Sequence, residues 1–209
     1  MSNVDVDKQG LDLAIGQVLD RHVAECRKLL SVERLSGGAS QETYRIRIET
    51  DNGEKLLAMR RAAGGVKVEP LPGHPGLDVE ALLMQCAHTA SVPVPQVYYV
   101  LQDEDGLGDG FIMSWLEGEA LGARINRAPQ YGAVREKLAY ECGKNLARIH
   151  QIDLVETGLE KKLAVISPRE FVEQTWNRYI DFNSPWPMID YTAQWLLENL
   201  PTDEAFCLV

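Results

Sequence analysis

The sequence predicts an α+β protein in which a small antiparallel sheet is followed by a helical region. The stretch 32–61 alternates apolar and polar side chains with the two-residue period of half-buried strands. Within it, Asn52-Gly53 favours a tight hairpin turn, because both residues tolerate positive φ. After Gly118 the apolar residues recur at helical spacing instead. These observations divide the chain into a sheet part, 1–118, and a helical part, 119–209.

The remaining elements of the sheet part follow from similar patterns. Apolar residues at helical spacing predict an amphipathic helix over 11–30, before the first strand. The Gly- and Pro-rich stretch 62–77 predicts a long loop, and Asp78 is a suitable N-cap for the helix after it. Two more strands, 97–101 and 111–116, complete the sheet, and the acidic stretch between them is interpreted as a hairpin turn.

The helical part is predicted from spacing and from helix start and stop signals. Apolar residues recur at helical spacing over 131–150. Ser167-Pro168-Arg169-Glu170 places Ser at the N-cap, Pro at the first helical position and Glu where it closes a capping box. A last helix is predicted over 190–200, ending before Pro201. The apolar stretch 206–209 favours a strand.

The loop between the first two strands is the main functional signal. Ser36-Gly37-Gly38-Ala39-Ser40 has almost no side chains, so its backbone N–H groups can approach a phosphate closely. Two-residue alternation puts Ala58 and Arg60 on one face of the third strand and Leu57 and Met59 on the other. Arg60 would project into the space beside the loop, and the small Ala58 leaves room for a flat ring. Each part alone is usually structural, but together and in this order they favour nucleotide binding.

Composition restricts the possible partners and the compartment. A net charge of −10 argues against a general nucleic-acid binder or a protein of anionic membrane surfaces, since both need clustered Lys and Arg. No apolar run approaches the length of a membrane span, and the polar, acidic N-terminus does not resemble a signal peptide. The four widely spaced cysteines show no metal-ligand spacing and are interpreted as reduced core thiols. We therefore expect a cytoplasmic protein.

Five stretches, taken in order, carry a resemblance to a known family: Ser36–Tyr44 (SGGASQETY), Leu57–Arg60 (LAMR), Glu80, Phe111–Gly118 (FIMSWLEG) and Leu146–His150 (LARIH). With them, the sequence resembles the aminoglycoside phosphotransferase and choline-kinase-like family, which shares its fold with protein kinases. It is most similar to the branch whose relatives also occur fused to acyl-CoA dehydrogenases. The likeness runs from about Leu29 to Val209. It implies a protein-kinase-like fold, with an N-lobe over 1–118 and the first helices of a C-lobe over 119–209.

The resemblance also implies a role for each matching residue. Ser36 and the residues Gly37, Gly38, Ala39, Ser40 and Gln41 would form the loop over the phosphates of ATP. Arg60 would take the place of the kinase strand lysine, and Glu80 would be its helix partner. Arginine in place of lysine puts a planar fork where the family has a point charge. Ala58 would line the adenine pocket with Met113 at its back. The hinge whose backbone binds adenine would be Ser114, Trp115 and Leu116.

The catalytic loop of the family has no counterpart in the sequence. In the family, a strand like 206–209 runs directly into an HGD-type motif, which supplies the Asp that orients the acceptor hydroxyl and an Asn for the metal. A later Asp binds magnesium. No catalytic residue and no metal ligand is therefore assigned here, and Mg²⁺ is expected only in a longer enzyme. The chain is interpreted as a kinase-like fragment truncated before its catalytic loop.

Three functions are weighed on this basis. The leading hypothesis is an ATP-dependent phosphotransferase acting on a small-molecule hydroxyl, with the acceptor left open because similar folds use many alcohols. The alternative is a non-catalytic protein that binds a nucleotide or another protein, with the strand edge near Phe206 available for pairing. A dinucleotide-binding oxidoreductase is disfavoured, because the glycine loop joins two strands rather than a strand and a helix.

Overall fold

The computed structural model describes residues 3–36, 41–69, 75–201 and 206–208. The predicted loop residues Gly37–Ser40 therefore lie outside the described part of the chain. The chain divides into two compact units, Met1–Asp153 and Leu154–Leu208. The first unit contains the whole sheet and four helices, and the second contains two helices. Sheet and helices together make this an α+β fold, as predicted.

Five strands form one fully antiparallel sheet. They are β1 (Lys28–Arg34), β2 (Gln41–Thr50), β3 (Gly53–Ala62), β4 (Val97–Val100) and β5 (Gly110–Ser114), in the spatial order β1-β2-β3-β5-β4. The central strand β3 therefore has β2 on one side and β5 on the other. The turn predicted at Asn52-Gly53 joins β2 to β3, and Gly53 has φ +105°, which suits glycine. The acidic stretch before β5 closes the β4–β5 hairpin, also as predicted.

The described residues also form six α-helices. They are α1 (Asn3–His22), α2 (Leu77–Thr89), α3 (Gly122–Arg127), α4 (Gly132–His150), α5 (Pro168–Asp181) and α6 (Pro187–Glu198). Within the described ranges, none of them combines the length and the apolar character that crossing a bilayer requires.

The structure corrects several predicted boundaries. The helix expected over 11–30 ends at His22, and Leu29 instead belongs to β1, where it pairs with Ile48. A short apolar run is compatible with both the 3.6-residue period of a helix and the two-residue period of a strand. Here its hydrogen bonds to β2 make it a strand. Helix α2 has Gly76, not Asp78, at its N-cap, and α6 begins at Pro187. The described residues 206–208 are not in a strand.

The start of α5 agrees with its sequence signal. The Ser167 hydroxyl accepts a hydrogen bond from the Glu170 backbone N–H at 3.2 Å, and the Ser167 N–H donates to Glu170 Oε2 at 2.9 Å. These bonds satisfy two N–H groups that have no partner inside the helix. The backbone and hydroxyl bonds from Ser167 also lower the pKa of the Glu170 carboxyl.

The sheet buries apolar side chains on both faces, and the two faces of β3 are divided as its alternation predicts. On one face, Leu57 and Met59 join a core with the α1 residues Ile15, Val18 and Leu19. The other face packs under α2 in a smaller core that consists of Ala62, Leu77, Ala81 and Phe111. Arg60 has the same parity as Ala62, and its guanidinium reaches α2. The α2 face of the sheet is thus the one that carries the predicted site.

The apolar stripe of α4 is more exposed than its spacing suggests. Val134, Leu138 and Leu146 each expose about half of their surface. Cys142 on the same helix is also exposed, and so is Cys207. The prediction of core thiols is therefore wrong for these two, because helical spacing alone does not show that a face is covered. Cys26 and Cys86 are half-buried.

In the second unit, α5 and α6 pack against each other. The Trp176 indole N–H donates to Asp190 Oδ1 at 2.9 Å, which ties the two helices together. Beside this bond lies an apolar groove of about 440 Å³, lined by residues of both helices such as Phe171, Met188 and Leu196. Phe171 and Met188 expose 62% and 70% of their surface, so the groove is open to solvent.

Gly108 makes the closest backbone approach in the β4–β5 hairpin. Its φ is +75°, and a Cβ added there would lie 2.3 Å from the backbone of Gly65. Gly108→Ala is therefore expected to lower the free energy of unfolding by about 2–4 kcal/mol, from backbone strain and overpacking together. Urea denaturation measures this loss. The matched control is Gly106→Ala, which has φ +67° but open space around its Cβ and is expected to cost about 1 kcal/mol. Equal losses in the two variants would contradict the close approach.

Candidate functional site

The centre of the candidate site is Arg60, in the middle of the sheet. It lies in register between Thr43 on β2 and Phe111 on β5. Its Nε donates a hydrogen bond to Gln41 Oε1, and its Nη1 donates to Glu80 Oε1. The structure therefore brings together three residues that the sequence assigned to one site, and it contains the expected ion pair between Arg60 and Glu80.

The ion pair is half-buried rather than enclosed. The side chain of Arg60 is 38% exposed and that of Glu80 is 31% exposed. Glu80 lies in the first turn of α2, where the helix dipole also favours a negative charge. Its carboxylate offsets part of the charge of Arg60, while the guanidinium stays accessible from solvent. An anion could reach the arginine without displacing the sheet.

The predicted adenine-side residues lie two residues further along the strands, on the same face as Arg60. Ala58 is directly opposite Met113 on β5, and it is buried, with 5% of its surface exposed. Met113 is half-buried in the core under α2. The small side chain and the neighbouring thioether leave an apolar surface on the α2 face of the sheet. Ala58 and Met113 therefore lie on the same face of the sheet as Arg60.

The predicted hinge residues differ in the backbone donors they have left. The Ser114 N–H donates to Gln96 O at 2.8 Å, and the Trp115 N–H donates to Leu56 O at 3.4 Å. Within the described residues, the Leu116 N–H has no such acceptor, and Leu116 is 59% exposed. Of the three predicted hinge residues, Leu116 is thus the one whose backbone N–H could bind a ligand.

The side chain of Trp115 is fixed from two directions. Its indole N–H donates to Glu117 Oε1 at 2.7 Å. The guanidinium carbon of Arg45 lies 5.8 Å from the centre of the Trp115 ring, which is within the range of a cation–π contact. Arg45 is directly opposite Ala58 in the sheet, so it adds a second positive charge near the apolar surface. The sequence analysis did not assign Arg45 to the site.

A buried ionic cluster on the opposite face of the sheet was also missed. Glu42 and Arg61 are directly opposite each other; Arg61 Nε donates to Glu42 Oε2 at 2.8 Å, and Nη2 lies 2.8 Å from the same oxygen. The Tyr44 hydroxyl donates to the same oxygen at 2.7 Å. The Gly64 N–H and Arg34 Nη2 reach Glu42 Oε1 at 3.3 and 3.1 Å. Only 7% of Glu42 is exposed. Charged residues in a strand are usually exposed to solvent. The sequence therefore gave no indication that Glu42 is buried.

The cluster determines the ionisation of its members. Burial alone would raise the pKa of the Glu42 carboxyl, but hydrogen bonds from Tyr44, the Gly64 N–H and Arg61 outweigh it and lower the pKa overall. Burial and the hydrogen bond to Glu42 raise the pKa of the Tyr44 phenol. Glu42 is therefore an anion at neutral pH. Its bonds hold the start of β2, next to Gln41, against the neighbouring strands.

The metal chemistry of the site can be judged only from the residues present. Within 3–36, 41–69, 75–201 and 206–208, no group of three or more His, Cys, Asp or Glu side chains is arranged to hold a metal ion. We therefore assign no described residue to Mg²⁺. Ser36 lies two residues after the end of β1, and the four loop residues that follow it lie outside the described part.

Comparison with known proteins decides the family. The model of the phosphotransferase enzyme family matches residues 31–209, which is most of the chain and includes the whole candidate site. The chain belongs to this family. The match bears out both the resemblance drawn from the sequence and its implied protein-kinase-like α+β fold. The helices and the antiparallel sheet of this phosphotransferase-family chain are therefore the elements expected of it.

A curated relative gives a second, more distant likeness. The chain is 26% identical over 213 residues to acyl-CoA dehydrogenase family member 10 of Mus musculus. The match covers 98% of this chain but 18% of the mouse protein. The name of this relative agrees with the likeness, noted in the sequence, to phosphotransferases that occur fused to acyl-CoA dehydrogenases.

Proposed function

We propose that this chain binds ATP for the transfer of a phosphoryl group to the hydroxyl of a small molecule. The observation that carries the proposal is the guanidinium of Arg60, held between Gln41 and Glu80 on the α2 face of the sheet. An arginine fixed by two acceptors, with one side open to solvent, is suited to binding phosphate oxygens. The family match supports phosphotransfer as the reaction class.

The geometry suggests how the nucleotide is oriented. The phosphates lie toward Arg60 and the loop that contains Gly37 and Gly38. The adenine ring lies against Ala58 and Met113, where the sheet is apolar. The N–H of Leu116 then supplies a hydrogen bond to the ring edge. This orientation uses Arg60 and Ala58 on β3 and Met113 on β5, with Leu116 two residues after the end of β5.

The remaining parts of the reaction rest on the family. Phosphotransferases of this kind generally use ATP with Mg²⁺, which neutralises charge that develops on the phosphates. The residues described here bind and orient the nucleotide, and the activity and acceptor of the whole protein are part of the proposal. We expect a hydroxylated small molecule as acceptor and a cytoplasmic location, with neither nucleic acid nor a membrane as partner.

Binding of ATP tests the proposal directly. Titration calorimetry with ATP is expected to show saturable binding to the wild-type chain. Arg60→Gln is expected to weaken this binding by about tenfold or more, because a charge-assisted contact to phosphate is lost. The matched control is Arg47→Gln on the neighbouring strand, where the exposed arginine lies 3.7 Å from Glu54. This control is expected to bind ATP like the wild type.

Two results would contradict the proposal. One is a folded wild-type chain that binds no ATP at millimolar concentration. The other is an Arg60→Gln variant that binds as tightly as the Arg47→Gln control. Phosphoryl transfer is tested separately, in the protein in which this sequence occurs, as release of ADP that depends on a hydroxylated acceptor.

A further inference from the structure

The two acceptors of Arg60 leave part of its guanidinium available. Arginine has five N–H donors in a planar fork. Gln41 accepts from Nε, and Glu80 accepts from Nη1. Within the described residues no further acceptor for Arg60 is found, so both N–H groups of Nη2 and one of Nη1 have no acceptor there, and the side chain is 38% exposed. Acceptors in the described residues therefore use two of the five N–H donors of Arg60.

The bond from Nε to Gln41 prevents such closure. Arginine and a carboxylate favour a bidentate pair, in which both carboxylate oxygens accept from the guanidinium. In this structure Glu80 is paired through Nη1 alone, while Gln41 holds the other side of the arginine. Without the amide oxygen of Gln41, Arg60 could turn its fork onto Glu80. The donors that would otherwise meet a phosphate would then be used within the protein.

Gln41 is itself held in place from the other face of β2. It is the first residue of the strand and pairs with Ala62. The next residue, Glu42, points to the opposite face and is bound there by Arg61, Tyr44 and Arg34. This cluster fixes the beginning of β2 against β1 and β3. The backbone of Gln41 therefore lies in a well-paired part of the sheet, and its half-buried side chain extends from there to Arg60.

From these contacts we infer that Gln41 is a positioning residue, which orients Arg60 through Nε and keeps the remaining donors of the guanidinium directed at a phosphate group. The inference rests on the nucleotide binding proposed above. Because Gln41 acts through Arg60, its replacement should weaken the binding of ligands that carry phosphate groups and leave the binding of ligands without phosphate unchanged. A purely structural glutamine would change the affinity for all ligands of the site alike.

Gln41→Met tests this role, because methionine has a similar length and no amide acceptor. We expect the affinity for ATP to fall by about tenfold and the affinity for adenosine to stay unchanged. The thermal unfolding temperature should match that of the wild type. The control is Gln151→Met, the same change at an exposed glutamine after α4, which is expected to alter neither affinity.

A second measurement reports on Arg60 without any nucleotide. The Nε–H resonance of Arg60 in a ¹⁵N NMR spectrum, assigned through Arg60→Lys, should be protected from exchange in the wild type. Gln41→Met should remove this protection, and Gln151→Met should leave it in place. Protection that persists in Gln41→Met would overturn the proposed orientation.

The outcomes separate this inference from the proposed function. Absence of ATP binding by the wild type would overturn the proposed function, and with it the phosphate-directed role of Gln41. Binding of ATP that Gln41→Met leaves unchanged would overturn the role of Gln41 alone. Equal losses for ATP and adenosine would also overturn it, because they would show a structural effect on the whole site.

Discussion

Replacement of Glu42 by methionine is expected to lower the free energy of unfolding by about 3–5 kcal/mol. The side chain of its partner Arg61 is only 12% exposed. Removal of the carboxylate leaves that guanidinium buried without its counter-charge, and it also takes the acceptor from the Tyr44 hydroxyl and the Gly64 N–H. A buried charge or donor without a partner destabilises the fold by more than the intact ion pair stabilises it. Replacement of Glu42 alone should therefore cause a large loss of stability.

A double variant separates this explanation from a simple packing defect. Glu42→Met combined with Arg61→Met removes both charges, so most of the lost stability should return. The control for an exposed pair is Glu33→Gln, which breaks the bridge between Glu33 on β1 and Arg45 on β2 and should cost less than about 1 kcal/mol. Urea denaturation measures all four proteins. A double variant less stable than Glu42→Met would contradict the ionic explanation.

The same variant should change the dependence of stability on pH. The pKa of Glu42 is lower in the folded protein than in the unfolded chain, because the hydrogen bonds of the cluster outweigh burial. Its contribution is therefore fully present above the unfolded pKa and is lost as the pH falls through the folded value. The stability difference between wild type and Glu42→Met should shrink between about pH 5 and 3. A constant difference over that range would show that Glu42 is not ionised in the cluster.

The sheet and the centre of the site were predictable because both depend on local rules. Alternation along β2 and β3 decides which side chains face α1 and which face α2. The hairpin at Asn52-Gly53 then sets the register between the two strands. Once that register is fixed, Arg60 must emerge on the same face as Ala58. The contact between Arg60 and Glu80 needed only one further assumption, that the next helix packs on that face.

The cluster around Glu42 could not be predicted in the same way. Its members come from β1, β2 and β3 and from the turn at Gly64, and each looks like a solvated residue in its own segment. Burial there results from three strands and a hairpin meeting at one corner, which is a property of tertiary packing. The exposed stripe on α4 shows the converse case. Helical spacing at Leu138 and Leu146 predicts an apolar face but not what covers it.

Replacement of Phe111 by alanine is expected to lower the free energy of unfolding by about 3–5 kcal/mol. Its side chain is completely buried in the small core between the sheet and α2. The neighbours Ala62 and Ala81 are small and cannot fill the space that the ring leaves. The loss of stability is therefore the sum of two free energies: that gained by transferring the ring out of water, and the cost of the cavity that remains. Urea denaturation measures it, with Phe182→Ala as control, since Phe182 is 76% exposed and should cost less than about 1 kcal/mol.

The position of Phe111 also connects stability to the site. It is directly opposite Arg60 in the sheet, and it packs with Leu77 and Ala81 of α2, the helix that carries Glu80. A cavity at this point should loosen α2 and with it the acceptor that holds Nη1 of Arg60. Phe111→Leu keeps most of the volume, so its loss of stability and of ATP affinity should both be smaller than those of Phe111→Ala. Unchanged ATP affinity in a folded Phe111→Ala protein would show that α2 holds Glu80 independently of this core.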